Sequence, residues 1–124
     1  MNIIENTTTK PTYTEAQAQL FKLLSHPVRL GILTLLRDGE HCVCHIEAHL
    51  GLRQSAISQQ LALLREAGLV QDRRDGWNIF YRVSNPTVYA ILDSAAEFSG
   101  QSYEPVSQDK VHCCCPDCSS KSQN

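Results

Sequence analysis

Residues 42–70 read CVCHIEAHLGLRQSAISQQLALLREAGLV, and the fold turns on this stretch. Cys42 to Leu50 has the length and polarity of a short helix, Gly51-Leu52 breaks it, and Gln54 to Ala67 resumes helical spacing with Ile57, Leu61 and Leu64 on one face. Two short helices around a glycine turn predict a helix-turn-helix, with an ordinary helical hairpin of a bundle as the competing arrangement. The next fifteen or so residues separate the two. Leu69 to Arg74 and Asn78 to Val83 are strand-like runs joined by Asp75-Gly76, a hairpin turn pair. Trp77, Ile79, Tyr81 and Val83 alternate with Asn78, Phe80 and Arg82, which predicts one face on the core. A hairpin placed directly after a helix-turn-helix is a wing, so the expected fold is mainly α with a β-hairpin wing.

Upstream, Thr14-Glu15-Ala16 opens a first helix that carries Leu20, Phe21, Leu23 and Leu24 and ends near Ser25. Pro27 suits a first helical turn, and Val28, Ile32, Leu33, Leu35 and Leu36 continue a second helix until Asp38-Gly39. Downstream, Ser84-Asn85-Pro86 marks the start of a fifth helix. Its Val88, Tyr89, Ile91, Leu92, Ala95, Ala96 and Phe98 offer more apolar surface than a small domain buries alone. With the first helix it is expected to form a homodimer interface, as suits a reader of palindromic DNA; the alternative is that it completes the monomer core. The organisation expected is an arm at 1–13, a winged helix-turn-helix domain at 14–98 and a cysteine-rich tail at 99–124.

The 124 residues suit one domain, and 42% hydrophobic content is enough for a small core. No stretch approaches the roughly 18 apolar residues of a membrane span, and the first ten residues lack the apolar region of a secretory signal, so a cytoplasmic protein without a membrane partner is expected. The net charge of −2 is unusual for a nucleic-acid binder, but charge is distributed unevenly. Between Arg53 and Arg82 five arginines (Arg53, Arg65, Arg73, Arg74, Arg82) face three acids (Glu66, Asp72, Asp75). In a helix-turn-helix the second helix enters the major groove, so Arg53, Gln54, Ser55, Ser58 and Gln59 are the candidates for base and phosphate contacts. Arg73, Arg74 and Arg82 on the wing would add contacts to the backbone or an adjacent minor groove. The partner is therefore double-stranded operator DNA, and no small organic substrate is expected.

Over roughly residues 16–93 the chain resembles the ArsR/SmtB family of metal-sensing repressors. His26-Pro27-Val28-Arg29-Leu30-Gly31-Ile32-Leu33 resembles the family's second-helix signature. Glu40-His41-Cys42-Val43-Cys44-His45 is similar to the cysteine box of arsenic- and cadmium-type members, and residues 58–70 to the recognition helix and the run into the wing. The resemblance implies a homodimeric repressor that binds the operator of a resistance operon in its apo form and releases it on binding metal. Two departures matter. Where arsenic-type members often place a third cysteine, three residues after the pair, this chain has Glu47; and Asp93 and Glu97 on the last helix have no histidine beside them, which disfavours a zinc sensor of the other type.

Six cysteines fall into two groups, Cys42 with Cys44, and Cys113, Cys114, Cys115 and Cys118. In a chain kept reduced, clustered thiols point to ligation or redox chemistry. A Cys-x-Cys pair near a helix N-terminus sits where the helix dipole favours thiolates, and thiolates select arsenic(III), antimony(III), cadmium(II) or lead(II), with zinc(II) also possible, over magnesium or calcium. Two thiols rarely complete a site, so the missing ligands come from Glu47, His41 or His45, or from the tail. The tail is favoured, because it has the surplus. Three other assignments stay open: a separate tail site through Cys115 and Cys118, disulfide or sulfur sensing by the pairs, and inert thiols. His41, His45 and His49 individually read as polar surface residues. Closing a metal site at the start of the helix-turn-helix would distort it and weaken DNA binding. No phosphate-cradling loop, nucleophile elbow or thioredoxin-like pattern accompanies the cysteines, so an enzyme is not expected.

Overall fold

The computed structural model describes residues 10–101; Cys113, Cys114, Cys115 and Cys118 lie outside them, as does most of the expected N-terminal arm. The first helix, α1 (Tyr13–Leu24), starts at a reciprocal capping box: the Glu15 amide donates to Thr12 Oγ1 and the Thr12 amide donates to Glu15 Oε2, both at 3.2 Å. α2 (Pro27–Leu35) begins with proline in its first turn, and His26 Nδ1 accepts from the Val28 amide at 3.2 Å. A 3-10 turn over Leu36–Asp38 closes this run. A two-residue strand, β1 (His41–Cys42), leads into α3 (Val43–Leu50). Gly51 caps α3 in the left-handed region at φ 65°, where its amide donates to Glu47 O at 2.9 Å. Only a residue without Cβ takes this conformation cheaply, so the turn into α4 (Gln54–Glu66) is set by that glycine. The wing comes next as β2 (Val70–Asp75) and β3 (Asn78–Val83), and α5 (Val88–Ser99) is the last element of the described chain.

The fold class expected from the sequence is the one observed, with differences at five places. First, α3 begins at Val43 rather than Cys42, because His41 and Cys42 pair with Tyr81 and Phe80 and make the wing three-stranded, in the order β1-β3-β2. Two residues carry no period, so this strand left no mark in the sequence. Second, the hairpin turn is Gly76-Trp77 rather than Asp75-Gly76, since Asp75 already pairs with Asn78; Gly76 takes φ 62° there. Third, the expected single core face of β3 is corrected. Tyr81 joins the main core on one face, while on the other Phe80 is buried beside its β1 pairing partner Cys42 in a second cluster, and Arg82 on that same face stays exposed. Trp77, expected inward, is fully exposed. Fourth, His45 is 6% exposed and belongs to the interior, not to the polar surface. Finally, α5 starts at Val88, after a turn in which the Thr87 amide donates to Asn85 Oδ1 at 3.2 Å.

The main core joins Ile32, Leu33 and Leu35 of α2, Ile46 of α3, Ile57, Leu61 and Leu64 of α4, and Val70 of β2. Polar ties fix the orientation of the helices around it. Arg29 on α2 donates through Nε to Gln60 Oε1 on α4 at 2.8 Å and through a terminal nitrogen to Leu23 O at 3.1 Å. Arg37, in the 3-10 turn, holds Asp93 of α5 through two 2.7 Å hydrogen bonds.

Candidate nucleic-acid interface and thiol cleft

The outward face of α4 is set by its buried face. Ile57, Leu61 and Leu64 are fully buried, so helical geometry turns Arg53, Gln54, Ser55, Ser58 and Gln59 outward, and all five are exposed. The Arg29–Gln60 hydrogen bond resists rotation of α4 about its axis. Arg53, the extended residue that precedes the helix, makes no side-chain cap, so the first amides of α4 remain directed at whatever anion approaches that end. These five residues thus form one polar surface at the start of one helix, as the helix-turn-helix reading requires.

The wing arginines divide by their partners. Arg73 donates to both carboxylate oxygens of Glu40, at 3.1 and 2.7 Å, and lies 4.6 Å from the centre of the Phe80 ring. Its pKa is raised chiefly by the Glu40 hydrogen bond. It clips the chain before β1 onto the wing, beside the ring that packs against Cys42. Arg82 donates to Gln71 Oε1 at 2.8 Å across the hairpin, and Arg65 reaches Asp72 at 3.3 Å. Arg74 is exposed and has no ion pair among the described residues.

The paired thiols sit next to this surface. Cys42 is the N-cap residue of α3 and only 1% exposed, because β1 presses it against Phe80; Cys44, in the first turn of α3, is half-buried. Their sulfurs are 3.0 Å apart. The two line an open cleft of about 110 Å³ together with Val43, Gln54, Trp77, Asn78 and Ile79. Gln54 is the first residue of α4, and Trp77 is the tip of the wing. The sequence marks each of these as a separate feature, but nothing in a linear reading brings them to one cleft, because that depends on how β3 crosses β1.

His41, His45 and His49 form a column along the start and body of α3: His41 and His45 stack at 4.7 Å, and His45 meets His49 edge-on at 4.9 Å. His45 and His49, four residues apart on α3, share one helix face, and His41 stacks on His45 from β1. Glu47 is on α3 as well, yet among the described residues no three His, Cys, Asp or Glu side chains are grouped to hold a metal ion. The cleft therefore supplies two thiols and no more from this part of the chain. The tail cysteines singled out in the sequence fall outside the described residues.

Helices α3 and α4 around a glycine turn, a three-stranded wing and an outward polar face on α4 define a winged helix-turn-helix DNA-binding protein. A model of the bacterial regulatory proteins of the arsR family matches residues 26–72. The chain is 48% identical over 77 residues to the biofilm growth-associated repressor of Xylella fastidiosa, a match covering 62% of this chain and 68% of that one. It is 51% identical over 67 residues to the arsenical resistance operon repressor of Escherichia coli, covering 53% and 57%. The solution structure of Mb0332 from Mycobacterium bovis, titled a homodimeric winged helix-turn-helix DNA-binding domain, superposes with a TM-score of 0.62 at 30% identity, covering 69% of this chain and 82% of that one. The chain belongs to the ArsR family. It is a DNA-binding transcription regulator and not an enzyme. Among the described residues no helix is long and apolar enough to cross a membrane.

Proposed function

We propose that this regulator is a homodimeric repressor that holds its operator in the apo form and releases it when Cys42 and Cys44 capture a thiophilic metal or metalloid. The observation that carries the reading is the 3.0 Å approach of the two sulfurs in a cleft shared with Gln54. Soft thiolates select arsenite or antimonite, or cadmium or lead, and zinc(II) is also accommodated where four thiolates are supplied. Such ions take three or four thiolates, so Cys113, Cys114, Cys115 and Cys118 supply what the pair lacks, from the same or the partner subunit. On the DNA side, Arg53, Gln54, Ser55, Ser58 and Gln59 read the major groove, and Arg74 and Arg82 neutralise phosphates. Arg73, engaged with Glu40, holds the wing in position.

The same sulfur contact supports a second reading, in which an oxidant takes two electrons from Cys42 and Cys44 and leaves a disulfide. The similarity to a biofilm growth-associated repressor as well as to an arsenical resistance repressor fits either trigger.

A fluorescence-anisotropy titration on the chain's own promoter DNA, at fixed salt, separates these. Reduced protein should bind tightly and be released by arsenite, antimonite, cadmium or lead, with binding weakened roughly 5- to 150-fold. Release by peroxide or polysulfide alone assigns the disulfide switch. Full binding in the presence of every one of these agents refutes both.

A further inference from the structure

We infer that Trp77 contacts operator DNA from the wing tip and is also the mobile wall of the thiol cleft, so that a ligand on Cys42 and Cys44 and the operator compete for one side chain. The inference rests on the proposed function and concerns how the cleft is coupled to the DNA surface.

Trp77 is the only tryptophan of the chain, and it is fully exposed, more so than any other large apolar residue described. Single apolar residues are commonly exposed; what distinguishes this indole is its position in the two-residue wing turn, beside Gln54 of α4, where a bound duplex would cover it. The cover is DNA. Gly76 and Trp77 are the two turn residues of the wing, Arg74 stands exposed on the adjoining strand, and Gln54, at the start of the recognition helix, lines the same cleft as Trp77. The wing tip therefore lies on the side of the molecule that faces the duplex, where an apolar ring can lie against sugar edges or enter the minor groove.

Trp77 also borders the cleft lined by Cys42 and Cys44. Its full exposure means that the ring is not packed into the cleft in this structure, so it can swing without breaking core contacts. When the thiols hold a ligand, the cleft acquires a polarisable surface against which the indole folds, and the DNA loses a wing-tip contact. Gln54 borders the same space and is displaced in the same event. The coupling is short and lies within one subunit.

The test uses the full chain, labelled promoter DNA and sodium arsenite at fixed salt, with wild type, Trp77→Phe and Trp77→Ala. In the wild type the single tryptophan should change its emission both on adding DNA and on adding arsenite. Trp77→Ala should bind DNA roughly five- to tenfold more weakly, the scale of one apolar contact, and, lacking the ring that folds onto the bound ligand, should take up arsenite more weakly while the Cys42–Cys44 pair still fills at saturation. Its arsenite-dependent loss of DNA affinity should shrink to below about a third of the wild-type ratio, and Trp77→Phe should recover part of both. Trp77→Ala with wild-type DNA affinity, or with the full arsenite effect, overturns the inference and leaves the proposed function standing. A Trp77→Ala chain that changes oligomeric state also overturns it, since the ring would then be covered by a second copy. A wild type indifferent to arsenite overturns it together with the metalloid reading.

Discussion

Cys42 and Cys44 show how two identical side chains two positions apart acquire different chemistry. β1 pairing seals Cys42 against Phe80, whereas Cys44 stays half-open in the cleft. Cys44→Ser should therefore abolish the response to thiophilic ions while changing the melting temperature little, because a half-exposed hydroxyl is solvated; release assays with arsenite check it. His49 belongs to the same scale. Its Nε2 is buried with no hydrogen-bond partner among the described residues, and burial lowers its pKa below the ordinary 6.5. A lowered pKa in the fold means that the unfolded chain binds the proton more readily. The neutral ring's contribution is thus complete above 6.5 and is lost as pH falls from there through the folded value. His49→Gln should flatten the fall in melting temperature between about pH 7.5 and 5, and an unchanged slope would place the acid sensitivity elsewhere.

Among the elements, the crossing of α2 and α3 positions the helix-turn-helix. Gly31 lies in the middle of α2, where a Cβ would come within 3.1 Å of Leu50 Cδ2 at the end of α3. A methyl demands only a small shift of that flexible end and adds helix propensity, whereas a longer chain pushes α3 away. Gly31→Leu should cost about 1–3 kcal/mol by denaturant unfolding and weaken DNA binding further than the stability loss explains, since α3 carries Cys44 and the turn into α4. The wing shows the same economy. Arg73 spans Glu40 and Phe80, so the residue with the most suggestive wing position is occupied in holding β1, and Arg74 beside it is left exposed, free for the phosphate contact proposed for it.

At the level of the whole molecule, the surface that the described chain leaves uncovered bears on the proposed homodimer. Phe98 is 93% exposed, Tyr13 and Phe21 are exposed as well, and of the apolar residues on α5 only Val88 is buried. Tyr89, Ile91 and Leu92 pack partly against the core beside Val88, and the apolar rings of Phe98, Phe21 and Tyr13 left in water fit the partner subunit of the proposed homodimer. Phe21→Glu combined with Phe98→Glu should yield monomers by sedimentation and reduce operator affinity by more than about tenfold, because one half-site reader loses the second. A dimer that survives both charges would move the interface away from α1 and α5.

Along the chain, the pattern of Ile57, Leu61 and Leu64, the Gly51 break and the two strand-like runs were sufficient for a winged helix-turn-helix, since periodicity and turn chemistry are local properties. The exposed face of α4 came from the same period, and the pairing of Cys42 with Cys44 from adjacency. Tertiary structure alone decided the rest. β1 is too short to have a period, so the burial of Phe80 and Cys42 against each other emerges only once β3 is the central strand. The fate of Arg73 depends on Glu40, 33 residues away. The meeting of Cys44, Gln54 and Trp77 at one cleft depends on three elements packing together, and contacts between residues distant in the chain leave no signal in its local composition.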